Sequence, residues 1–427
     1  MHASVKGMYD LLPGSAGGSV ELRQRLERCS AEIFETFGYR EIRTPLLEEK
    51  ALFVKSIGDE TDIVTKEMFA FRDRGGRDVA LRPEGTAPIV RAYLEANLHK
   101  TAPFQKFYYI GPMFRAERPQ AGRMRQFHQI GAEAIGSHDP AIDAEMILLM
   151  MTVLDASRLK GQTLRLNNLG CRSDKARLSK KLKELFSGKK ALLCEDCRKR
   201  LETNPLRVID CKKENCRSVV RGALASLEFL CPNCAGHFSV VRKYLDLAGV
   251  QYVIDPYIVR GLDYYTGTVF EVSHPDLGAQ DALGAGGRYN NLVSDLGGPS
   301  LGAVGFALGV ERMLIAAAKQ GATAFAGKTP PPVFIATLGE EARKKGFELV
   351  NALRSVGVAC EMDYEGKSLK AQMRKADDMC APLVVIVGDD ELKSGSAVIR
   401  DMKSKEQSSI KMDEVVDFME ERVKRKT

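Results

Sequence analysis

The sequence predicts an α+β fold: an antiparallel-sheet body, interrupted by a mainly helical insertion and followed by a small α/β domain. Three observations predict it. Residues 104–133, FQKFYYIGPMFRAERPQAGRMRQFHQIGAE, hold two β-capable runs around a polar loop in which Arg118, Arg123 and Arg125 cluster among turn-formers. Residues 171–240 form a basic, cysteine-bearing stretch that breaks the strand pattern. Beyond residue 332, VFIATL, VACEM and LVVIVG alternate with two helix-forming stretches as βαβαβ.

The second run of the hairpin has period two. Phe127, Gln129, Gly131 and Glu133 face one way; His128, Ile130, Ala132 and Ala134 face the other. The latter set is mostly apolar and suits packing on helices. The former offers a ring, an amide and a carboxylate, with a glycine gap in which a small ligand can lie. Arg115 on the first run brings a guanidinium beside it, a bidentate partner for phosphate. The pattern points to a nucleotide-plus-amino-acid site.

Composition sets the bounds. A chain of 427 residues holds two or three domains, and 44% hydrophobic with 28% charged residues is the balance of a soluble globular protein. No stretch reads as a membrane span, and MHASVKGMYDLLPGS lacks the apolar core of a signal peptide, so a cytoplasmic location is expected. In that reducing setting ten cysteines argue for thiols or a metal rather than structural disulfides. Residues 158–217 hold 18 Lys/Arg against 7 Asp/Glu, a local excess of +11 in a chain of net charge +7. Such a segment suits a polyanion such as RNA, or a solvated helical surface.

In chain order, KGMYDLLPG at 6–14 is a turn-rich arm. Leu22, Leu26, Cys29, Ile33 and Phe37 recur at helical spacing, with Gly38 placed as a C-terminal cap. GYREIRTPLLE then gives a short extended segment around Pro45. At 81–88, LRPEGTAP passes from strand to helix, with Thr86 as N-cap and Glu84 placed to cap the helix or to meet an ammonium group. Asp139–Pro140 starts a helix through MILLMMTVLDA, whose methionines fill core space. Residues 161–169 read as a strand.

The insertion carries Cys194-x2-Cys197, Cys211-x4-Cys216 and Cys231-x2-Cys234, which is zinc-ligand spacing. Cys211, Cys216, Cys231 and Cys234 are the preferred set, because Cys216 to Cys231 encloses a finger-sized loop. In QYVIDPYIVRGLDYYTGTVFEV, Arg260 precedes Gly261, which permits close backbone approach. Tyr264 and Tyr265 supply hydrogen-bonding rings, only one of which would line a pocket if both lay on a strand. GAGGRYNNL is glycine-rich without the strand and helix order of a dinucleotide fingerprint. LGAVGFALGVERM, from Leu301 to Met313, reads as a helix with Gly305, Gly309 and Arg312 on one side. KQGATAFAGKTPPP at 319–332 reads as a linker. The last domain has a mostly parallel sheet, a closing hairpin and the helix DEVVDFMEERVKRK.

These stretches carry a resemblance. GPMFRAERPQAGRMRQFHQIGAE resembles motif 2 of class II aminoacyl-tRNA synthetases in its histidyl-tRNA synthetase form, and VRGLDYYTGTVFE resembles the second histidine-specific signature of that family. LRPEGTAPIVR, GAGGRYNNLV and GFALGVERML agree as well, the last with motif 3; the helix, strand and proline before residue 46 resemble motif 1, which builds the family's dimer interface. The tail resembles the family's anticodon-binding domain. The resemblance implies ATP-dependent ligation of L-histidine to tRNA(His) by a homodimer with Mg²⁺, in a catalytic core of 1–325, an insertion of 171–240 gripping the acceptor arm, and a domain of 332–427.

It also implies roles. Glu84, Gly85, Thr86, Arg115, Gln129, Glu133, Arg260, Tyr264 and Tyr265 would bind histidine, with Glu84 and Gln129 on the ammonium and Glu133 with the tyrosines on the imidazole. Arg115, Glu117, Arg123, Phe127 and Arg312 would bind ATP, with Phe127 on adenine and Arg312 and Arg123 on the outer phosphates. Arg115 and Arg260 would neutralise charge at the α-phosphate, and Arg118 and Gln120 would face the tRNA acceptor. The structural zinc has no support from the family. Two other readings are a non-aminoacylating regulatory subunit of an ATP phosphoribosyltransferase and an RNA-binding, zinc-organised interaction protein. The tail at 332–427 argues against the first, and the Glu84–Arg312 constellation is unexplained by the second.

Overall fold

The computed structural model describes residues 2–13, 20–120, 122–211, 213–224, 228–278, 281–320 and 333–424. The stretch read as a linker, 319–332, falls almost wholly outside them. Two compact units are present, Met1–Ala326 and Gly327–Thr427.

In the first unit the helix Val20–Thr36 buries Leu26, Ser30 and Phe34. It ends at Gly38, whose φ of +77° turns the chain so that the Tyr39 N–H donates to the Phe34 carbonyl. β1 (Arg40–Glu41) follows, then a small antiparallel sheet of β2 (Leu47–Glu49), β3 (Ala70–Arg72) and β4 (Asp78–Leu81) in the order β2-β4-β3. β5 (Gln105–Phe114) and β6 (Gln126–Ile135) make a ten-residue antiparallel hairpin, from Gln105 opposite Ile135 to Phe114 opposite Gln126. After the helix Pro140–Ala156, capped by the Asp139 carboxylate on the Ala141 N–H, come β7 (Thr163–Asn168), β8 (Val253–Ile254), β9 (Thr266–Ser273), β10 (Ala282–Arg288) and β11 (Ala303–Gly309).

These build an eight-stranded sheet in the order β1-β5-β6-β11-β10-β9-β7-β8, parallel only at its two ends. The alternation in β6 has the expected consequence. Ile130, Ala132 and Ala134 join Phe34, Met146, Met150 and Phe306 in the main core, while Phe127 and Gln129 face the other side. Residues 303–309 are a strand rather than the start of a helix. Their glycines do not form a helix face: Gly305 pairs with Glu133 and leaves no room for a Cβ beside that carboxylate. The helix begins only at Val310, so Arg312 lies in its first turn.

The insertion comprises helices Arg172–Ser187, Glu195–Thr203, Glu214–Leu224 and Pro232–Leu247. The last runs past residue 240, and its Val241 and Leu245 belong to the main core. The proposed cysteine set does not assemble. Cys211 and Cys216 group with Cys194 and Cys197, whereas Cys231 and Cys234 group with Cys171 and Asp174. The reason is topological: Cys231 opens a helix anchored in the main core, and the helix behind Cys194 folds against the turn that leads to Cys211.

In the second unit, β12 (Val333–Thr337), β13 (Cys360–Met362), β14 (Leu383–Val387), β15 (Ser396–Asp401) and β16 (Gln407–Lys411) pair in the order β13-β12-β14-β15-β16. Two pairings are parallel and two antiparallel, so the sheet is evenly mixed rather than mostly parallel. Helices Glu340–Ser355 and Val415–Lys424 cover one core, and Leu369–Asp378 covers the other.

Candidate active site

A cavity opens on the face of the large sheet bearing Phe127 and Gln129. Arginines from three segments reach it: Arg115 and Arg123 from the β5–β6 loop, Arg260 from the loop before β9, and Arg312 from the helix Val310–Lys319. Each is held by the protein. The Arg115 Nε donates to the Pro83 carbonyl at 2.9 Å, and its guanidinium lies 5.2 Å from the centre of the Phe127 ring. Arg123 pairs with Glu117 at 3.2 Å. The Arg260 Nη1 donates to Glu271 at 2.9 Å, while its buried Nε has no hydrogen-bond partner among the described residues. Arg312 donates to the carbonyls of Gly122 and Ala282 at 3.1 and 2.7 Å. Burial and the neighbouring cations Arg123 and Arg115 press the Arg312 pKa down, so this part of the cavity is a strong acceptor of anionic charge.

The cavity is also lined by Glu84, Thr86, Gln129, Tyr264 and Tyr265. Both tyrosines line it because they sit in the turn before β9, where the alternation of a strand does not apply. Their ring centres are 4.7 Å apart, and the Tyr264 hydroxyl lies 3.3 Å from a Glu84 oxygen. The turn is fixed from the insertion. The Lys175 Nζ donates to the carbonyls of Asp263 and Tyr265, and the Asn204 amide donates to the Asp263 carboxylate.

Glu84 does act as a cap. Its carboxylate accepts from the N–H groups of Thr86 and Ala87 at 2.7 and 3.0 Å, so Gly85, not Thr86, precedes the helix Thr86–Glu95. Gly85 is needed where it stands, since a Cβ there would strike the Tyr109 ring. Burial raises the Glu84 pKa against these bonds. Glu133 lies one layer beneath the cavity. It accepts from the Thr86 hydroxyl at 2.6 Å and the Tyr289 hydroxyl at 2.5 Å, and burial lifts its pKa to about 8. Gln129 remains open to a ligand: its buried Oε1 has no hydrogen-bond partner among the described residues.

Eleven of the residues singled out from the sequence thus line one cavity, with Gly85 and Glu133 in its wall. Arg118 and Gln120 are exposed on the hairpin loop and do not line it. The sequence reading missed Glu271, Tyr109, Tyr289, Glu311, Lys175 and Asp263. Glu271 could have been found. It closes the stretch VRGLDYYTGTVFE, and alternation along β9 turns it away from Phe270 and Val272, which lie in the main core. Glu311 precedes Arg312 and orders β6 from below: it accepts from the His128 N–H and meets the His128 ring at 2.9 Å.

Residues 7–313 match the family profile described as Histidyl-tRNA synthetase, and residues 332–422 match that of an Anticodon binding domain. The first match alone spans most of the chain. The chain belongs to the histidyl-tRNA synthetase family. Among curated relatives, the Histidine--tRNA ligase of Desulforamulus reducens is 47% identical over 98% of both chains. That of Desulforudis audaxviator is 49% identical over 96% of this chain and 97% of its own. The apo histidyl-tRNA synthetase of S. aureus superposes with a TM-score of 0.81 at 33% identity, covering 98% of this chain and 100% of that one. The stretch that resembles motif 2 forms β5, the hairpin loop and β6, and the stretch that resembles motif 3 forms β11 and the start of the helix Val310–Lys319.

Proposed function

We propose that this chain attaches L-histidine to tRNA(His) in two ATP-dependent steps at the cavity on the large sheet. One observation carries the assignment of roles: four guanidiniums line one cavity together with carboxylate, amide and phenol groups. A polyphosphate fits the guanidiniums, and an amino acid fits the polar groups beside them.

In the first step an oxygen of the histidine carboxylate attacks the α-phosphorus of ATP. The bond to the bridging oxygen breaks, and pyrophosphate leaves with that electron pair. Arg115 and Arg260 neutralise the charge that builds on the α-phosphate, and Arg312 with Arg123 holds the outer phosphates. Phe127 stacks on adenine. Glu84 and Gln129 receive the ammonium, and Tyr264 and Tyr265 face the imidazole with Glu133 supporting from below. In the second step a terminal ribose hydroxyl of tRNA takes the acyl group and AMP leaves. No protein nucleophile is required; the gain comes from position and fixed charge.

The family's use of ATP with a divalent metal fits the side chains present. Mg²⁺ would travel with the phosphates and balance their charge, with Glu117 and Glu311 among the carboxylates that line the cavity. A homodimer is supported by Leu46, Leu47 and Phe71, which expose apolar surface at the three-stranded sheet. No helix among the described residues is long and apolar enough to cross a membrane. Arg118 and Gln120, on the exposed loop, are assigned to the acceptor end, and the unit beyond Gly327 to the anticodon arm.

The test is pyrophosphate exchange with each amino acid in turn. Exchange that depends on histidine alone supports the reading; exchange with another amino acid, or with none, overturns it.

A further inference from the structure

Outside the catalytic cavity, the densest group of metal-ligating side chains is in the insertion. Cys194 caps the helix Glu195–Thr203, and Cys197 lies in its first turn. Cys211 follows the turn Pro205–Val208, and Cys216 lies in the first turn of the helix Glu214–Leu224. Their four sulfurs all lie within 4.8 Å of one another. The Cys194 and Cys211 sulfurs are 4.0 Å apart. Four sulfurs bound tetrahedrally to zinc at about 2.3 Å stand roughly 3.8 Å from each other. A disulfide would need about 2.05 Å.

We infer that Cys194, Cys197, Cys211 and Cys216 hold a structural zinc ion as a tetrathiolate.

Burial as small apolar groups does not account for this arrangement. Cys360 shows that case: it is buried among aliphatic side chains and belongs to no such group. In the insertion four thiols from three elements converge instead, and the Cys194 N–H donates to the Cys216 sulfur at 3.1 Å, a contact that favours thiolate. The surroundings suit the ion's net charge. Zinc with four thiolates carries −2, and the adjoining cavity, which Cys194 and Cys211 help to line, is net basic, with seven Lys or Arg side chains against five Asp or Glu.

There is also a need for a cross-link. The two helices joined here have nine and eleven residues, too short to persist without tertiary support. Their core beyond the cysteines has eight buried side chains, Leu178, Phe186, Leu201 and Val208 among them. A metal holding both helix starts to the intervening turn supplies what this small core lacks. The second group is different. Its fourth member is a carboxylate already engaged by the protein: Asp174 accepts from the N–H groups of Cys171 and Cys231 and pairs with Arg177.

The full-length protein, purified without chelator, is analysed for zinc by plasma mass spectrometry beside Cys194→Ser and Cys231→Ser. Cys194 is only half-buried, so serine fits, and circular dichroism checks that the chain is folded. Cys194→Ser is expected to lose one equivalent of zinc, Cys231→Ser none. Cys194→His, which offers a nitrogen ligand, is expected to regain it. Cobalt exchanged into the unsubstituted protein is expected to give the intense visible bands of a tetrahedral thiolate site, absent in Cys194→Ser. Equal zinc in the parent and Cys194→Ser, loss confined to Cys231→Ser, or a parent without zinc each overturns the inference.

Discussion

Arg260 concentrates several constraints in one side chain. Glu271 holds one edge of its guanidinium, the Tyr265 ring lies 5.7 Å from it, and its Nε is left for a ligand. If it neutralises charge in the transition state, Arg260→Ala lowers single-turnover adenylate formation about 100-fold, the cost of one well-placed donor, with little change in histidine affinity. An unchanged rate with a raised histidine KM sinks that role. Glu133 gives a prediction of another kind. Its pKa rises from an ordinary carboxylate value of 4.5 to about 8 on folding because burial penalises the charged form. The folded state therefore binds more protons than the unfolded state between those two values. Its contribution to stability is complete below that window and declines as pH rises through it. Glu133→Gln keeps both hydroxyl partners within reach and removes the titration, so the difference in stability between parent and variant is expected to change across about pH 5–8 and to level off above it. Chemical denaturation at several pH values measures this, and a constant difference would mean that Glu133 is ionised throughout. In binding assays the same variant is expected to weaken histidine and spare ATP.

Elements were legible where one face is apolar and the period is regular. The hairpin β5–β6 follows from alternation, and the helices Val20–Thr36 and Pro140–Ala156 follow from spacing and caps. The strand β11 was not legible, because AVGFALG is as compatible with a helix of small residues as with a strand; only its neighbour Glu133 explains why Gly305 must lack a side chain. The capping of the helix Thr86–Glu95 by Glu84 was one of the two roles its position just before that helix offered, because the contact is only two and three residues long; the pairing of the cysteines depends on contacts between distant segments and leaves no local trace. Arg288 was likewise invisible in its glycine-rich setting. It is buried, and it ties β10 to the helix Pro140–Ala156 through Asp143, with Nε–oxygen distances of 2.9 and 2.8 Å. The Asp143 carboxylate also meets His237 on the last insertion helix, at 3.2 Å. Arg288→Met leaves that carboxylate without its main partner and is expected to cost about 3–5 kcal/mol of stability. Asp143→Leu combined with Arg288→Met should recover much of the loss. Thermal unfolding of the two variants decides it, and a double variant no better than the single one would point to lost packing instead.

At the scale of the molecule, every residue assigned to ATP and histidine lies between Glu84 and Arg312, inside the unit Met1–Ala326. Deleting the chain from residue 332 is therefore expected to spare histidine-dependent pyrophosphate exchange, provided sedimentation shows an unchanged oligomer. Transfer to tRNA falls, because a remote contact no longer helps to position the acceptor end. What transfer persists depends steeply on salt through the basic insertion. A truncated protein that charges tRNA as well as the full chain would remove the anticodon assignment. Lys175 bears on the whole assembly too. It reaches from the basic insertion to the carbonyls on either side of Tyr264, so the surface proposed for RNA and the turn proposed for histidine are parts of one braced body. Two ligands on such a body obey a reciprocity: the factor by which histidine alters the affinity for tRNA equals the factor by which tRNA alters the affinity for histidine. Lys175→Met cuts the brace, and both factors should then move toward one together.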